Sequence, residues 1–497
     1  MRLYHYRSIE CAVLEIGNGT FRFASRDELN DPIEGYLCVY WQGDKAAWEG
    51  LFRNYVCSLM QAIQLSLLAV DEKMLKTRFL MVDIHMFDNV PMGEILKNLG
   101  NSFLQEEIVQ KLADFYGKNA LRCSKKELQL ILRSVHGKAL KLCFKTLGEK
   151  HLIPDDMAEQ FQMGVRVDDV DSFVGFLKEG PTDEAQRLAF IKAVEDVLED
   201  YIELQFVQFG MDNEDFLYGE RHDSGATVEN KTDESIKVKR GTLDITSAAT
   251  ENPYPGRQYR DWMSVIIDFP RTYISELEDL VYPEGFVVCF SGKNDDSSMW
   301  GNYADNHKGV CLVYESDEDS DGKQSIPVAV DSGKTFRNLP VRRMNYSGQI
   351  IDRNFFETFG RLTYNQIVSW LTGTEGPSEC LKSIVGDEAS WRDKYWRVYD
   401  DKFLRKLGAW EHEDEYRMMI SNISSSYNDL KKRILLYDSR ILKGVIFGIR
   451  TSEYDKKKVV DALLKAGKPF EEVEFFQAEY DDLNQRVSIR KKCWFKS

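Results

Sequence analysis

Several things are scarce in this chain of 497 residues, and each scarcity excludes something. There are seven histidines and nine scattered cysteines with no C-x-x-C pair, so neither a zinc centre nor a disulfide framework is written into the sequence. Free thiols are the expectation, buried at Cys11, Cys57, Cys143, Cys289 and Cys311, which sit in apolar settings. Positive charge is also in deficit. The 65 Lys and Arg against 81 Asp and Glu leave a net charge of −16, which argues against extensive non-specific binding to nucleic acid. No apolar run approaches the ~20 residues of a membrane span; the longest, Ala62 to Val70, is broken by Gln64 and Ser66. The N-terminus lacks the basic-then-apolar pattern of a secretory signal. These absences together predict a cytoplasmic protein without a membrane partner. No G-x-x-x-x-G-K-[ST], G-x-G-x-x-G or G-x-S-x-G occurs, so P-loop, Rossmann and nucleophile-elbow chemistry fall away. His307 has no other ligand type at metal-binding spacing, and no metal is expected.

What is present suffices for a large core: 43% of residues are hydrophobic and 12% aromatic, over a length that suggests two or three domains. Residues 3–7 and 20–24 read as strands, joined by a segment that includes an Asn18-Gly19 turn. From about 45 to 215 the periodicity becomes helical, as in Trp48, Leu51, Phe52, Val56, Leu59, Met60 and Ile63. Residues 219–256 are polar and rich in Ser, Thr, Asp and Glu, and read as a linker or loop. β character returns at 285–290 and 309–314, with further strands at 413–420 and 443–449 and a helix from Tyr454 to Ala466. The expected fold class is α+β: a split, mostly antiparallel β domain from 1–44 and 257–497, with a mainly helical domain inserted at 45–218.

Polar residues gather beside the short β-like runs. His5 and Arg7 share one face of the first strand, with Tyr4 and Tyr6 on the other. Asn30-Asp31-Pro32, followed by Glu34, is a turn signal from which Asn30 can reach a cleft. Ser291 closes the run Cys289-Phe290-Ser291. Trp300 and Tyr303 are three apart on a helical turn capped by Asp296, Ser297 or Ser298, and offer rings for stacking or for a core. Read as a strand, Glu411, Glu413 and Glu415 point one way together with Arg417.

These blocks resemble the bacterial domain-of-unknown-function family 2971. The residues that carry the resemblance are L-Y-H-Y-R, F-R-F-A-S-x-x-x-L-N-D-P-x-E, C-F-S, M-W-x-x-Y-A-D-x-H-x-G-V-C-L, W-x-x-E-x-E-Y-R and L-K-G-V-I-F-G, in that order. That family name implies no function. A second resemblance does. ADP-ribosyltransferases carry a His or Arg on a first strand, a Ser or Tyr with aromatics on a middle strand and a Glu late in the chain. Here His5 or Arg7, then Ser291 with Trp300 and Tyr303, then Glu413 or Glu415 follow that order. The resemblance implies NAD as substrate, with His5, Arg7, Asn30, Ser291, Trp300 and Tyr303 around it. Glu415, or else Glu413, would be the catalytic carboxylate. It also implies a macromolecular acceptor or protein partner and a role as a toxin or anti-phage effector. The competing expectation is a non-enzymatic nucleotide- or peptide-binding module in a defence or regulatory complex. A nuclease is disfavoured by the acidic charge and the missing metal motif.

Overall fold

The first strand of the chain lies inside a sheet whose other strands all come from residues 285–492. In the computed structural model, residues 1–68 except 32, 80–82, 91–153, 183, 185–187, 189, 265–266 and 268–492 except 332–334, 349 and 424–425 are described. The expected linker, 219–256, lies outside the described residues, as does the part of the expected helical block from 190 to 215. The chain divides into two compact units. One comprises 1–38, 282–352 and 392–497, the other 39–281 and 353–391. Residues 353–391 look by sequence like part of the C-terminal half, yet they group with the helical unit.

The first unit is built on ten strands, mostly antiparallel. We number its strands β1 (Arg2–Arg7), β2 (Thr20–Arg22), β3 (Gly285–Ser291), β4 (Val310–Glu315), β5 (Asp317–Glu318), β6 (Gln324–Asp331), β7 (Thr335–Arg343), β8 (Glu415–Ser421), β9 (Ile434–Leu436), β10 (Leu442–Phe447), β11 (Glu474–Asp481) and β12 (Arg486–Lys492). The sheet order is β12-β11-β10-β4-β1-β3-β8-β7-β6-β5, and β2 pairs with β9 separately. Among the described strands of this sheet, only β10 and β11 run parallel, across the helix Glu453–Lys465. β1 is locked to β4 over its whole length, from Arg2 opposite Glu315 to Arg7 opposite Val310. Its pairing with β3 is a single position, Tyr4 opposite Ser291. Beyond it the two strands part, and the chain after β2 enters the gap: Ala24 exchanges backbone hydrogen bonds with Val287 at 2.8 and 2.9 Å. The sheet is thus two five-stranded halves joined at one residue pair.

One face of this sheet carries a continuous apolar core that includes Leu3, Phe21, Phe23, Phe286, Phe290, Leu312, Tyr314 and Val445. A smaller cluster on the other face gathers Tyr6, Met299, Trp300, Cys311 and Ile446. The connection from β1 to β2 is the helix Ile9–Asn18. Ser8 caps its start, accepting from the Cys11 amide, and Gly19 ends it in the left-handed conformation at φ 63°. The Asn18-Gly19 pair, read from sequence as a turn between strands, is therefore a helix stop. Cys11 lies on the outer side of this helix and is exposed, against expectation, whereas Cys57, Cys143 and Cys311 are buried free thiols.

The helical unit centres on the helix Lys45–Leu68, which packs against Pro91–Leu104, Glu107–Asn119 and Lys125–Glu149. All seven apolar positions singled out by periodicity, Trp48 to Ile63, are fully buried. Gly50 is required there: a Cβ would lie 1.9 Å from the Trp370 carbonyl oxygen. Its buried His136 is neutral, pushed down to about 4 by burial. Tyr55 donates to its Nδ1 at 2.8 Å, and its Nε2 donates to the carbonyls of Val265 and Ile266 at 3.1 Å. Among the described residues no helix is long and apolar enough to cross a membrane.

Candidate functional site

Three adjacent strands of the sheet unit, β1, β3 and β8, bring polar residues into one row. Tyr4 lies opposite Ser291, and Ser291 opposite Glu415. Directly opposed residues on antiparallel strands share a face, so Tyr4, Ser291 and Glu415 point the same way. Alternation adds Cys289 and Arg417, themselves opposed, to that face. The Ser291 hydroxyl donates to the Glu413 carbonyl at 2.7 Å and accepts from the Lys293 amide at 3.0 Å, which fixes the turn into β8.

Five buried charged side chains meet there. The Lys406 ammonium donates to Glu413 Oε2 at 2.6 Å and Glu415 Oε2 at 3.0 Å, and lies 3.6 Å from Glu34. Arg417 donates through Nε to Glu415 Oε1 at 2.6 Å, through a terminal nitrogen to the Phe403 carbonyl at 2.9 Å, and pairs with Glu34. Trp410 lies with its ring 5.0 Å from the Lys406 ammonium. Buried charges are tolerated only when paired and hydrogen-bonded, and here two cations serve three carboxylates. The consequences for protonation differ. Burial alone would raise the Glu415 carboxyl, but Arg417 and Lys406 outweigh it and hold the group at about 2. Glu34 moves the other way, raised by burial and by the Glu415 charge against the pull of Arg417 and Lys406. Burial lowers Lys406, and the carboxylates around it more than reverse that. Glu415 is thus a fixed anion, too weak a base for proton abstraction at neutral pH but oriented through both oxygens. Glu34 is held more weakly acidic than an ordinary carboxyl, the opposite of Glu415.

The cluster reaches solvent through Glu413. Tyr303 donates to Glu413 Oε1 at 2.7 Å, and the exposed Asn30 donates to the Tyr303 hydroxyl. Tyr303 ends the short helix Ser297–Tyr303, capped by Asp296 as its sequence suggests. Asp31 makes the expected turn, its Oδ1 accepting from the Ile33 amide at 3.0 Å, and that turn carries Glu34 inward.

The structure therefore assembles Glu415, Glu413, Ser291, Tyr303 and Asn30, and corrects three other expectations. His5 and Arg7 lie on the opposite face of the sheet. His5 Nδ1 and Arg7 Nε both bind Glu15, at 2.9 Å each, and Tyr314 donates to the same carboxylate at 2.7 Å. Burial and Arg7 push His5 down, so it is a neutral core residue; the Arg7 charge, with hydrogen bonds from His5 and Tyr314, outweighs burial and holds Glu15 at about 2. Strand alternation put the two on a common face; it could not say which face carried the cleft. Trp300 is an anchor rather than a stacking surface. It is fully buried, edge-on to Tyr6 with ring centres 5.1 Å apart, and its Nε1 donates to the Asn294 carbonyl. Glu411 does not share a strand face with Glu413 and Glu415. Residues Gly408–Glu413 form a 3-10 helix, Asp414 turns through φ 43°, and β8 starts only at Glu415, so Glu411 is exposed. Lys406 was missed altogether, because Arg405-Lys406 looks like any basic pair on a surface.

Among the described residues, no group of His, Cys, Asp and Glu could hold a metal ion. No curated protein and no solved structure matches this chain. Residues 299–418, which run from the helix bearing Tyr303 to the middle of β8, match the family model described as Protein of unknown function (DUF2971).

Proposed function

We propose that the sheet unit is an NAD-consuming enzyme of the ADP-ribosyltransferase type, with Glu415 as its charge-stabilising carboxylate. One observation carries the reading. A first-strand residue, a middle-strand serine and a late glutamate lie in one cross-strand row, Tyr4–Ser291–Glu415, and the glutamate is held ionised. The first-strand position on this face is Tyr4, not His5 or Arg7, and that departs from the transferase pattern.

The chemistry needs a fixed anion more than a base. The bond from C1′ of the ribose to the nicotinamide nitrogen breaks, and its electron pair leaves with nicotinamide. Positive charge grows on the ribose, where an oriented carboxylate stabilises it. A nucleophilic atom of the acceptor then bonds to C1′ and loses its proton; with water as acceptor the product is ADP-ribose. Glu413, tied to Tyr303 on the solvent side, is placed to orient a hydroxyl of the ribose or the acceptor. An activity that exhausts NAD or modifies an essential macromolecule suits a toxin or anti-phage effector. A second reading, a non-enzymatic nucleotide- or peptide-binding module, draws on a different observation: both oxygens of Glu415 are already taken by Arg417 and Lys406.

Nicotinamide release by the purified chain separates the two. The enzyme reading expects release from wild type and a loss on the order of 10²–10³-fold in Glu415→Gln, the scale of one preorganised electrostatic contact. Full turnover in Glu415→Gln sinks it. Absence of release, with a ligand-dependent rise in melting temperature, supports the binding module.

A further inference from the structure

Beside the charge cluster, still within the sheet unit, Asp31 and Ile33–Tyr36, Gly348, Ile350 and Ile351, and Lys402 with Arg405–Leu407 enclose a pocket. Its rim is apolar and open to water: Ile33, Tyr36, Ile350 and Leu407 are 50%, 47%, 57% and 37% exposed. Scattered exposed apolar residues are ordinary, but four around one concavity mark a binding place. Deeper in, the lining turns polar with Asp31, Glu34, Arg405 and Lys406. Asp31 is only 5% exposed, and its Oδ2 is buried without a hydrogen-bond partner among the described residues; the same holds for Arg405 Nε. A buried polar atom left unpaired is costly. Here an unused acceptor and an unused donor lie in the walls of one apolar-rimmed pocket.

We propose that this pocket binds a purine nucleotide that carries an exocyclic amine. The ring would lie against Tyr36 and the aliphatic rim, the amine would donate to Asp31 Oδ2, and phosphate oxygens would accept from Arg405. Lys406 is committed to Glu34, Glu413 and Glu415, so the cations that would meet the phosphate are Arg405 and Lys402. Lys406 belongs both to this pocket and to the cluster that holds Glu415, so the adenosine phosphate part of NAD fits the pocket while its other end meets the carboxylate row. To that extent the inference rests on the proposed function, but binding of a free mononucleotide needs no turnover.

The test is calorimetric titration of the full chain with AMP and with IMP, which has a carbonyl oxygen where AMP has the amine. Wild type should bind AMP at least about tenfold more tightly than IMP, because a site built to accept from an amine rejects an analogue lacking it. Asp31→Asn retains an oxygen for the Ile33 amide and offers a donor in place of Oδ2, so it should abolish or reverse that preference. Arg405→Gln should weaken both nucleotides alike. Tyr36→Ala, at an exposed position, should weaken AMP about tenfold and decides the matter if Asp31→Asn does not fold. Failure to bind AMP, equal affinity for AMP and IMP, or an unchanged preference in Asp31→Asn overturns the proposal. AMP binding without nicotinamide release leaves this site standing and removes the enzyme reading; release without AMP binding does the reverse.

Discussion

Glu413 and Glu415 accept hydrogen bonds from one ammonium group, that of Lys406, at 2.6 and 3.0 Å. The two carboxylates come from different elements, a 3-10 helix and a strand, separated by the left-handed Asp414. Lys406 thus fixes the turn as well as the charge balance. Replacing it with Met leaves three buried carboxylates facing Arg417 alone. Breaking a buried ion pair from one side costs about 3–5 kcal/mol, so Lys406→Met should melt well below wild type. A melting curve within a degree or two of wild type would refute the role given to Lys406.

Acid should unfold the sheet unit in a specific window. Glu415 and Glu15 are both held at about 2, against an ordinary 4.5. Lowered carboxyls stabilise the fold above the unfolded value, and that support is lost as pH falls from 4.5 towards 2. Glu34, being raised, has the opposite sign: its contribution declines as pH rises through its folded value. Melting from pH 7 to pH 3 should therefore drop steeply below 4.5, and less steeply in Glu415→Gln. Glu34→Gln should gain on wild type as pH rises.

His5 provides a control on the geometry. It lies on the sheet face away from Glu415 and is committed to Glu15. His5→Gln should lower stability by about 1–3 kcal/mol, through a weakened buried hydrogen-bond network, while leaving AMP affinity unchanged. Calorimetry showing a large loss of AMP binding in a folded His5→Gln protein would mean that the two faces are coupled.

Residues 1–38 should be indispensable to the sheet. β1 is flanked by β4 on one side and β3 on the other. Without it, both half-sheets present unpaired edges. A chain lacking residues 1–38 should give aggregated or loosely packed material, detectable by the absence of a cooperative melt.

Much of this fold was legible because alternation and helical spacing are local signals. The strands at 3–7, 285–290 and 443–449 and the stripe from Trp48 to Ile63 follow from side-chain periodicity alone. The helix between β1 and β2 was hidden, although Ser8 and Gly19 spell its two caps, because Asn18-Gly19 also spells a hairpin. Within the site, Glu415, Ser291 and Tyr303 were visible through their setting in short β-like or aromatic runs. Lys406 and the inward course of Glu34 were not, since long-range ion pairing leaves no mark on neighbouring residues. The face on which His5 points is equally unreadable: period two gives partition, not direction.

The single pairing of Tyr4 with Ser291 has a temporal meaning. The two residues are 287 positions apart, and β8, which carries Glu415, follows later still. A ribosome adding residues one at a time releases the N-terminal strand long before either of its neighbours exists. The nascent chain must keep β1 unengaged, or lend it to a chaperone, until residues 285–315 have emerged. Any activity that depends on the row from Tyr4 to Glu415 is therefore silent throughout synthesis, and a chain interrupted before residue 415 would carry none of it.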